Sequence, residues 1–189
     1  CIDVFNAQGV LLDKNTIKLV SQPQNSTETK TIKANTIVLS TGSVTKNIPV
    51  FEIDNDRLIN SKDIFDLNKI PKSLLIVGGG VIGVEFASFF ATFGCKVDIV
   101  EGAKNIIPLE DSDVSKTLER QLIINSTNQA NKMEIFTNSN AKFVSKTKDS
   151  VSFEITKTIG ANTKIYDKTY EKALISIGRV ANTKGLGLE

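Results

Sequence analysis

The sequence predicts an α/β fold organised around a strand–helix–strand unit, and three observations predict it. Leu74–Val77 is wholly apolar and stops at Gly78-Gly79-Gly80-Val81-Ile82-Gly83. An apolar segment of helical character runs on to Phe93 and is broken by Gly94. A second strand-like run, Val97–Val100, ends at Glu101. Short apolar runs bounded by glycine turns, with a helix-length segment between them, are the pattern of a parallel βαβ unit whose strands are buried on both faces.

The glycine spacing adds a chemistry. Glycines at 78, 80 and 83 form a G-x-G-x-x-G turn between strand and helix, so the unit reads as a Rossmann-like, dinucleotide-binding βαβ. Gly78 permits the tight turn, Gly80 lets the backbone approach a pyrophosphate, and Gly83 lets the helix lie close to the strand. The N–H groups and dipole of the helix start favour an anion. Glu101, 23 positions after Gly78, stands where a carboxylate accepts hydrogen bonds from the hydroxyls of an adenosine ribose. The competing reading is a glycine-rich turn with steric duties alone.

Composition sets the bounds. The chain has 189 residues, 40% of them hydrophobic, with 23 basic and 21 acidic residues for a net charge of +2. The charges are spread along the chain without a basic block, so neither nucleic acid nor a membrane is an expected partner. No apolar run approaches the roughly 20 residues that a membrane-spanning helix needs. Two cysteines, Cys1 and Cys95, are too few for a disulfide scaffold and have no metal-binding spacing, so no metal site is expected. Histidine is absent, which removes the commonest general base. The chain begins with Cys1 and shows no signal-peptide pattern, so a processed protein or a piece of a longer one is expected.

Along the chain, Val10–Leu12 and Thr16–Val20 read as strands around the turn Asp13-Lys14-Asn15, Ser21–Lys30 as a polar loop, and Ile32–Leu39 as a strand. Residues 47–72 read as a connector punctuated by Pro49 and Pro71, with a helical turn near Ser61–Leu67. Asp111–Ile124 is amphipathic, with Val114, Leu118, Leu122 and Ile123 on one face. Polar Asn125–Lys132 ends that helix. Met133–Phe136, Ala141–Ser145, Val151–Thr156 and Thr163–Tyr166 suggest an antiparallel β-meander, and Ala173–Ile177 a last apolar strand. Two of these strands stop at glycine, in Ile37–Ser43 (IVLSTGS) and Ala173–Arg179 (ALISIGR). Each is an ordinary strand end or one side of a ligand crevice, since ligands in open α/β sheets gather beyond the carboxyl ends of strands.

The motifs STGS at Ser40–Ser43, VGGGVIGVE at Val77–Glu85, VDIVE at Val97–Glu101 and SIGRVANTKGLGLE at Ser176–Glu189 occur in the order seen in the flavoprotein disulfide reductases. The chain resembles the dihydrolipoamide dehydrogenases in particular, over essentially its whole length. The resemblance implies a central fragment of such an enzyme. Residues 1–70 would be a partial FAD-binding domain (late strands and linker), 71–179 the NAD-binding domain with its meander, and 180–189 the start of the return to the FAD domain.

The resemblance also implies roles. Gly9, Thr41, Gly42 and Ser43 would lie against FAD. Gly78, Gly79, Gly80, Val81, Ile82, Gly83, Val84 and Glu85 would form the NAD loop, with Glu85 near the nicotinamide and flavin or, alternatively, a solvent-facing helix charge. Glu101 would bind the adenosine ribose, Ala141 would contact adenine, and Gly178 would flank NAD. Arg179 matches a recurrent basic residue or is a surface charge. The family's redox Cys-x4-Cys, first FAD glycine loop, downstream Gly-Asp motif and His–Glu pair are not in these residues, so no catalytic residue is expected here. Val180-Ala181 stands where the family often has a basic or polar residue and Pro.

The implied activity of the intact protein is oxidation of a dihydrolipoyl group by way of a redox disulfide and FAD, with reduction of NAD. That group would be borne on a carrier protein of a 2-oxoacid dehydrogenase or glycine cleavage complex. The enzyme would be a homodimer of the bacterial cytoplasm or mitochondrial matrix. Alternatives are another reductase of the superfamily, an NADH oxidase, or a non-catalytic NAD-binding module.

Overall fold

A computed structural model describes residues 2–20, 30–126 and 132–188. The chain divides into two compact units, Cys1–Val44 with Val180–Glu189, and Thr45–Arg179.

The first unit is built on a three-stranded antiparallel sheet, β1 (Gln8–Asp13), β2 (Thr16–Val20) and β3 (Lys30–Lys33), in that order. The β1–β2 turn is set by Asp13, whose carboxylate accepts the Asn15 N–H at 2.7 Å. Residues 21–29 of the expected polar loop lie outside the described residues. The strand expected over Ile32–Leu39 ends at Lys33. The Asn15 side-chain amide donates to the carbonyls of Ala34 and Asn35, which takes those groups out of the ladder and turns the chain away from β2. Val38 is then 81% exposed, so Ile37–Ser40 is irregular chain rather than a buried strand. In the returning segment, the Asn182 N–H donates to the Gly42 carbonyl at 3.0 Å, and the Leu11 N–H donates to the Leu186 carbonyl at 2.7 Å.

The second unit holds a five-stranded, wholly parallel sheet. Its strands are β5 (Leu58–Asn60), β6 (Ser73–Val77), β7 (Lys96–Val100), β8 (Glu134–Phe136) and β12 (Lys172–Ile175), in the order β5-β12-β6-β7-β8. Both faces are covered. Leu74, Ile76, Val97, Ile99 and Leu174 pack beneath helices α1 (Val81–Thr92) and α2 (Ser112–Asn125). Leu75, Val77, Val100, Ala173 and Ile175 pack on the other face against Val151, Phe153 and Ile155. The period-two alternation of strand side chains distributes one apolar run over two cores, which is why these strands read as unbroken hydrophobic stretches. The second cover is an antiparallel meander of β9 (Ser139–Lys146), β10 (Val151–Ile159) and β11 (Asn162–Tyr170). Short strands β4 (Ser43–Thr45) and β13 (Arg179–Ala181) pair with each other.

Four expectations are corrected. The connector 47–72 contributes β5, which pairs with β12, while the helical turn expected near Ser61–Leu67 is present as a 3-10 helix, Asp63–Asp66. Met133–Phe136 belongs to the parallel sheet and not to the meander. The Asp98 carboxylate accepts the Glu134 N–H at 2.9 Å and sets β8 beside β7. On α2, Leu118 and Leu122 face the core as expected, but Val114 does not. Val114 is 53% exposed, whereas Ser115 is buried and donates its hydroxyl to the Ile106 carbonyl at 2.7 Å. A serine so satisfied is admitted to an apolar interface, and no hydrophobic pattern reveals it. The last apolar strand stops at Ile175, although the Ser176 N–H still donates to the Val77 carbonyl at 2.8 Å. Residues 127–131 of the polar stretch after α2 lie outside the described residues.

Candidate functional site

A cleft of about 710 Å³ lies beyond the carboxyl ends of β6, β7 and β12. β7 and β8 extend the sheet to one side of β6 and β12 to the other, so the cleft sits where the strand order reverses, the place ligands occupy in open α/β sheets.

The turn after β6 follows from backbone demands. Gly78 has φ +107°, and a Cβ there would stand 2.5 Å from the Ser176 carbonyl oxygen. A Cβ on Gly83 would stand 2.0 Å from the Gly78 carbonyl oxygen, so only glycine lets α1 start this close to β6. Gly80 differs. Its φ is −72°, and a Cβ there would meet nothing within 4 Å. The space in front of Gly80 is open, and the first turn of α1 carries no side-chain cap and no acidic residue. Uncapped N–H groups facing open space are the complement of an anion such as a pyrophosphate.

Glu101 reaches back to this turn. One carboxylate oxygen accepts the Gly79 N–H at 2.6 Å and the other accepts the Ala103 N–H at 2.7 Å. The carboxylate therefore staples the glycine turn to the end of β7, and its remaining lone pairs are available for hydroxyl donors. Ser176, just past β12, braces the same turn by donating its hydroxyl to the Gly78 carbonyl at 3.0 Å. Past Glu101 the chain forms a strap over the turn. The Ile107 N–H donates to the Gly79 carbonyl at 2.7 Å, and Ile107 takes φ +40°, a conformation rare for a β-branched residue.

The structure brings Gly78, Gly80, Val81, Ile82, Glu101, Ala141 and Gly178 to one cleft. Gly79, Gly83 and Val84 are buried behind it, where they shape the turn. Glu85 does not line this cleft. It lies on a groove of about 460 Å³ beside Phe65, Phe86 and Phe89, one turn along α1 and exposed. Gly9 lies within the β1–β2 ladder opposite Leu19. Thr41 and Gly42 are held by Asn182, whose side chain donates to the Thr41 carbonyl at 3.2 Å and whose N–H donates to that of Gly42. Ser43 starts β4.

Sequence reasoning missed Ile48 and Phe51, which line the cleft from the connector, and the strap residues Pro108 and Leu109. No periodicity marks either segment. Cys95 is buried, and burial, with the Glu171 charge, pushes its thiol up to about 12, which makes it an inert core residue. Cys1 lies outside the described residues. Among the described residues no helix is long and apolar enough to cross a membrane, and no cluster of His, Cys, Asp and Glu could hold a metal ion.

Comparison with known proteins places the site in context. Residues 2–189 match the model of a family described as pyridine nucleotide-disulphide oxidoreductase. The dihydrolipoyl dehydrogenase of Bacillus subtilis strain 168 is 32% identical over 193 residues, covering 100% of this chain and 39% of the relative. That of Chlamydia trachomatis serovar D is 31% identical over 194 residues, covering 100% and 37%. Among solved structures, LpdA of Mycobacterium tuberculosis superposes with a TM-score of 0.74 at 26% identity, over 96% of this chain and 38% of that one. The HOCl-induced flavoprotein disulfide reductase RclA of Escherichia coli gives 0.70 at 26%, over 97% and 38%. The chain thus spans less than two-fifths of the length of these relatives.

Proposed function

The chain belongs to the pyridine nucleotide-disulphide oxidoreductase family, and from that premise we propose that its cleft binds NAD. The observation that carries the reading is the meeting of Glu101 with the glycine turn, where a carboxylate, an uncapped helix start and the open face of Gly80 converge. The N–H groups of the first turn of α1 would receive the pyrophosphate, and Gly80 would let it approach. Glu101 would accept the hydroxyls of the adenosine ribose with charge-assisted hydrogen bonds. Ala141, on β9, would offer a small apolar surface to adenine, and Gly178 would leave room at the other end of the cleft. When bound, NAD supplies a hydride acceptor; the residues here would bind and orient it.

In the first unit we assign Gly9, Thr41, Gly42 and Ser43 to an FAD-facing backbone, with Asn182 holding the carbonyls of Thr41 and Gly42 in place. For the intact protein the reading is a FAD-dependent dihydrolipoyl dehydrogenase that passes electrons from a dihydrolipoyl thiol pair through a disulfide and FAD to NAD. The thiols would come from a carrier protein of a 2-oxoacid dehydrogenase or glycine cleavage complex, with a homodimeric enzyme in a bacterial cytoplasm or mitochondrial matrix. The curated relatives' names support this activity. The deciding experiment is calorimetric titration of the chain with NAD. Saturable one-site binding that is lost in Gly80→Val, with the fold retained by circular dichroism, is expected. Absence of binding by the wild-type chain would refute the site.

A further inference from the structure

We propose that Leu109, at the tip of the strap after β7, is a positioning residue that closes over the adenine ring of the bound dinucleotide. The proposal rests on the NAD reading of the cleft. The strap is anchored at several points and free at one. Its first residues are tied down by the Asn138 N–H, which donates to the Ala103 carbonyl at 2.8 Å. Its middle is tied to the glycine turn by the Ile107 N–H on the Gly79 carbonyl, and to α2 by the Ser115 hydroxyl on the Ile106 carbonyl. Ile106 and Ile107 are buried. Pro108 and Leu109 sit at the tip of a turn closed by the Glu110 N–H on the Ile107 carbonyl at 3.0 Å, and both are exposed and line the cleft.

Leu109 is 97% exposed. A scattered exposed leucine needs no explanation, but this one stands on a backbone that is costly to form. Ile107 holds φ +40°, a strained conformation that persists only where surrounding bonds over-determine it and that gathers at ligand clamps. The two residues that follow it line the cleft. The strap departs from Glu101, so its tip covers the side of the cleft on which that carboxylate would hold the ribose, and the ring on that ribose is adenine. An apolar side chain over a flat aromatic ring buries area on both partners.

The test is calorimetry of the full chain with NAD and with ADP-ribose, which lacks nicotinamide, for wild type, Leu109→Ser and Leu109→Met. Because Leu109 is solvent-exposed, both variants are expected to keep the wild-type melting temperature. Leu109→Ser should weaken NAD and ADP-ribose by the same factor, about tenfold, the effect of burying part of a leucine side chain. Leu109→Met should remain within about twofold of wild type, as a volume-conserving swap does. Unchanged affinities in Leu109→Ser would overturn the proposal while leaving the NAD site standing. Weakening of NAD without ADP-ribose would also overturn it, since it would put Leu109 at the nicotinamide end. A wild-type chain that binds neither ligand would remove the NAD reading and this proposal together.

Discussion

The Tyr170 hydroxyl donates a hydrogen bond to the Asp98 carboxylate at 2.7 Å in the interior between the parallel sheet and the meander. Asp98 is wholly buried on β7, and its second oxygen accepts the Glu134 N–H. Burial raises the carboxyl above its ordinary value of 3.8, against the Tyr170 and Glu134 hydrogen bonds that favour the charge; the neighbouring Glu134 carboxylate adds to the rise and Lys168 opposes it. The folded state then holds the Asp98 proton more tightly than the unfolded chain. The stabilisation is fully present below the unfolded value and is lost as pH rises through the folded one. In thermal unfolding, the advantage of wild type over Asp98→Asn should be largest below pH 3.8 and shrink as pH increases; a difference independent of pH would contradict this. Tyr170→Phe, which strips one partner from a buried carboxylate, should cost about 1–3 kcal/mol.

Asp54 makes the opposite prediction. Burial alone would raise it, but the Lys146 ammonium and the N–H groups of Asp56, Leu58 and Arg57 outweigh burial and lower it to about 2. Its stabilisation is present above the unfolded value of 3.8 and is lost as pH falls through the folded one. Asp54→Ala should lower stability at neutral pH by about 1–2 kcal/mol, the scale of a lost turn cap. The variant's deficit should close in acid, measured by denaturant titration at pH 7 and pH 2.

Two glycines of one motif should separate fold from ligand. Gly83→Ala places a methyl 2.0 Å from the Gly78 carbonyl oxygen and should destabilise by about 3 kcal/mol, the upper range for overpacking. Gly80→Val adds its side chain to open space at an ordinary backbone conformation. Its melting temperature should stay near wild type while NAD affinity falls by about a hundredfold or more, equivalent to about 2.7 kcal/mol. Equal effects of the two substitutions on stability would show that the motif is structural at both positions.

Under the NAD reading, Glu101 is expected to set the cofactor preference. A 2′-phosphate beside this carboxylate meets like charge in a partly desolvated site, whereas two hydroxyls meet an acceptor. NAD should bind about a hundredfold more tightly than NADP, a difference of about 2.7 kcal/mol. Glu101→Ala should bring the ratio within about tenfold and also weaken NAD, because the Gly79 and Ala103 N–H groups lose their acceptor. Titrating both cofactors into both proteins separates the two effects: the ratio reports the ribose and the absolute NAD affinity reports the staple.

The glycine turn, its two strands and the acid were legible because each is a local demand that one residue type meets: positive φ at Gly78, zero clearance at Gly83, a carboxylate at the end of β7. Non-local pairings were not legible. Leu58–Asn60 is three residues long, too short for a period, and becomes a strand only because β12 lies beside it. Met133–Phe136 looks the same whether its neighbour runs parallel or antiparallel, and the Asp98–Glu134 hydrogen bond decides. Ile37–Leu39 has the composition of a buried strand, yet Asn15 captures the carbonyls that precede it. Ile48, Phe51 and Leu109 reach the cleft through tertiary placement alone. In α2, a buried serine took the position that a hydrophobic pattern assigned to Val114.

The position of β12 bears on how this unit is made. It enters between β5 and β6, yet of the five strands it is the last to be synthesised. Until residue 172 has emerged from a ribosome, Leu58–Asn60 has no sheet to join and one flank of β6 stands open, although β6, α1 and β7 can already assemble. The meander has to be finished first, and its closing residue, Tyr170, delivers the chain to the gap. The Ser176 brace on the glycine turn therefore arises late in translation, and a nascent chain stalled in the meander would present a bare, apolar strand edge of the kind that chaperones shield and that otherwise seeds aggregation.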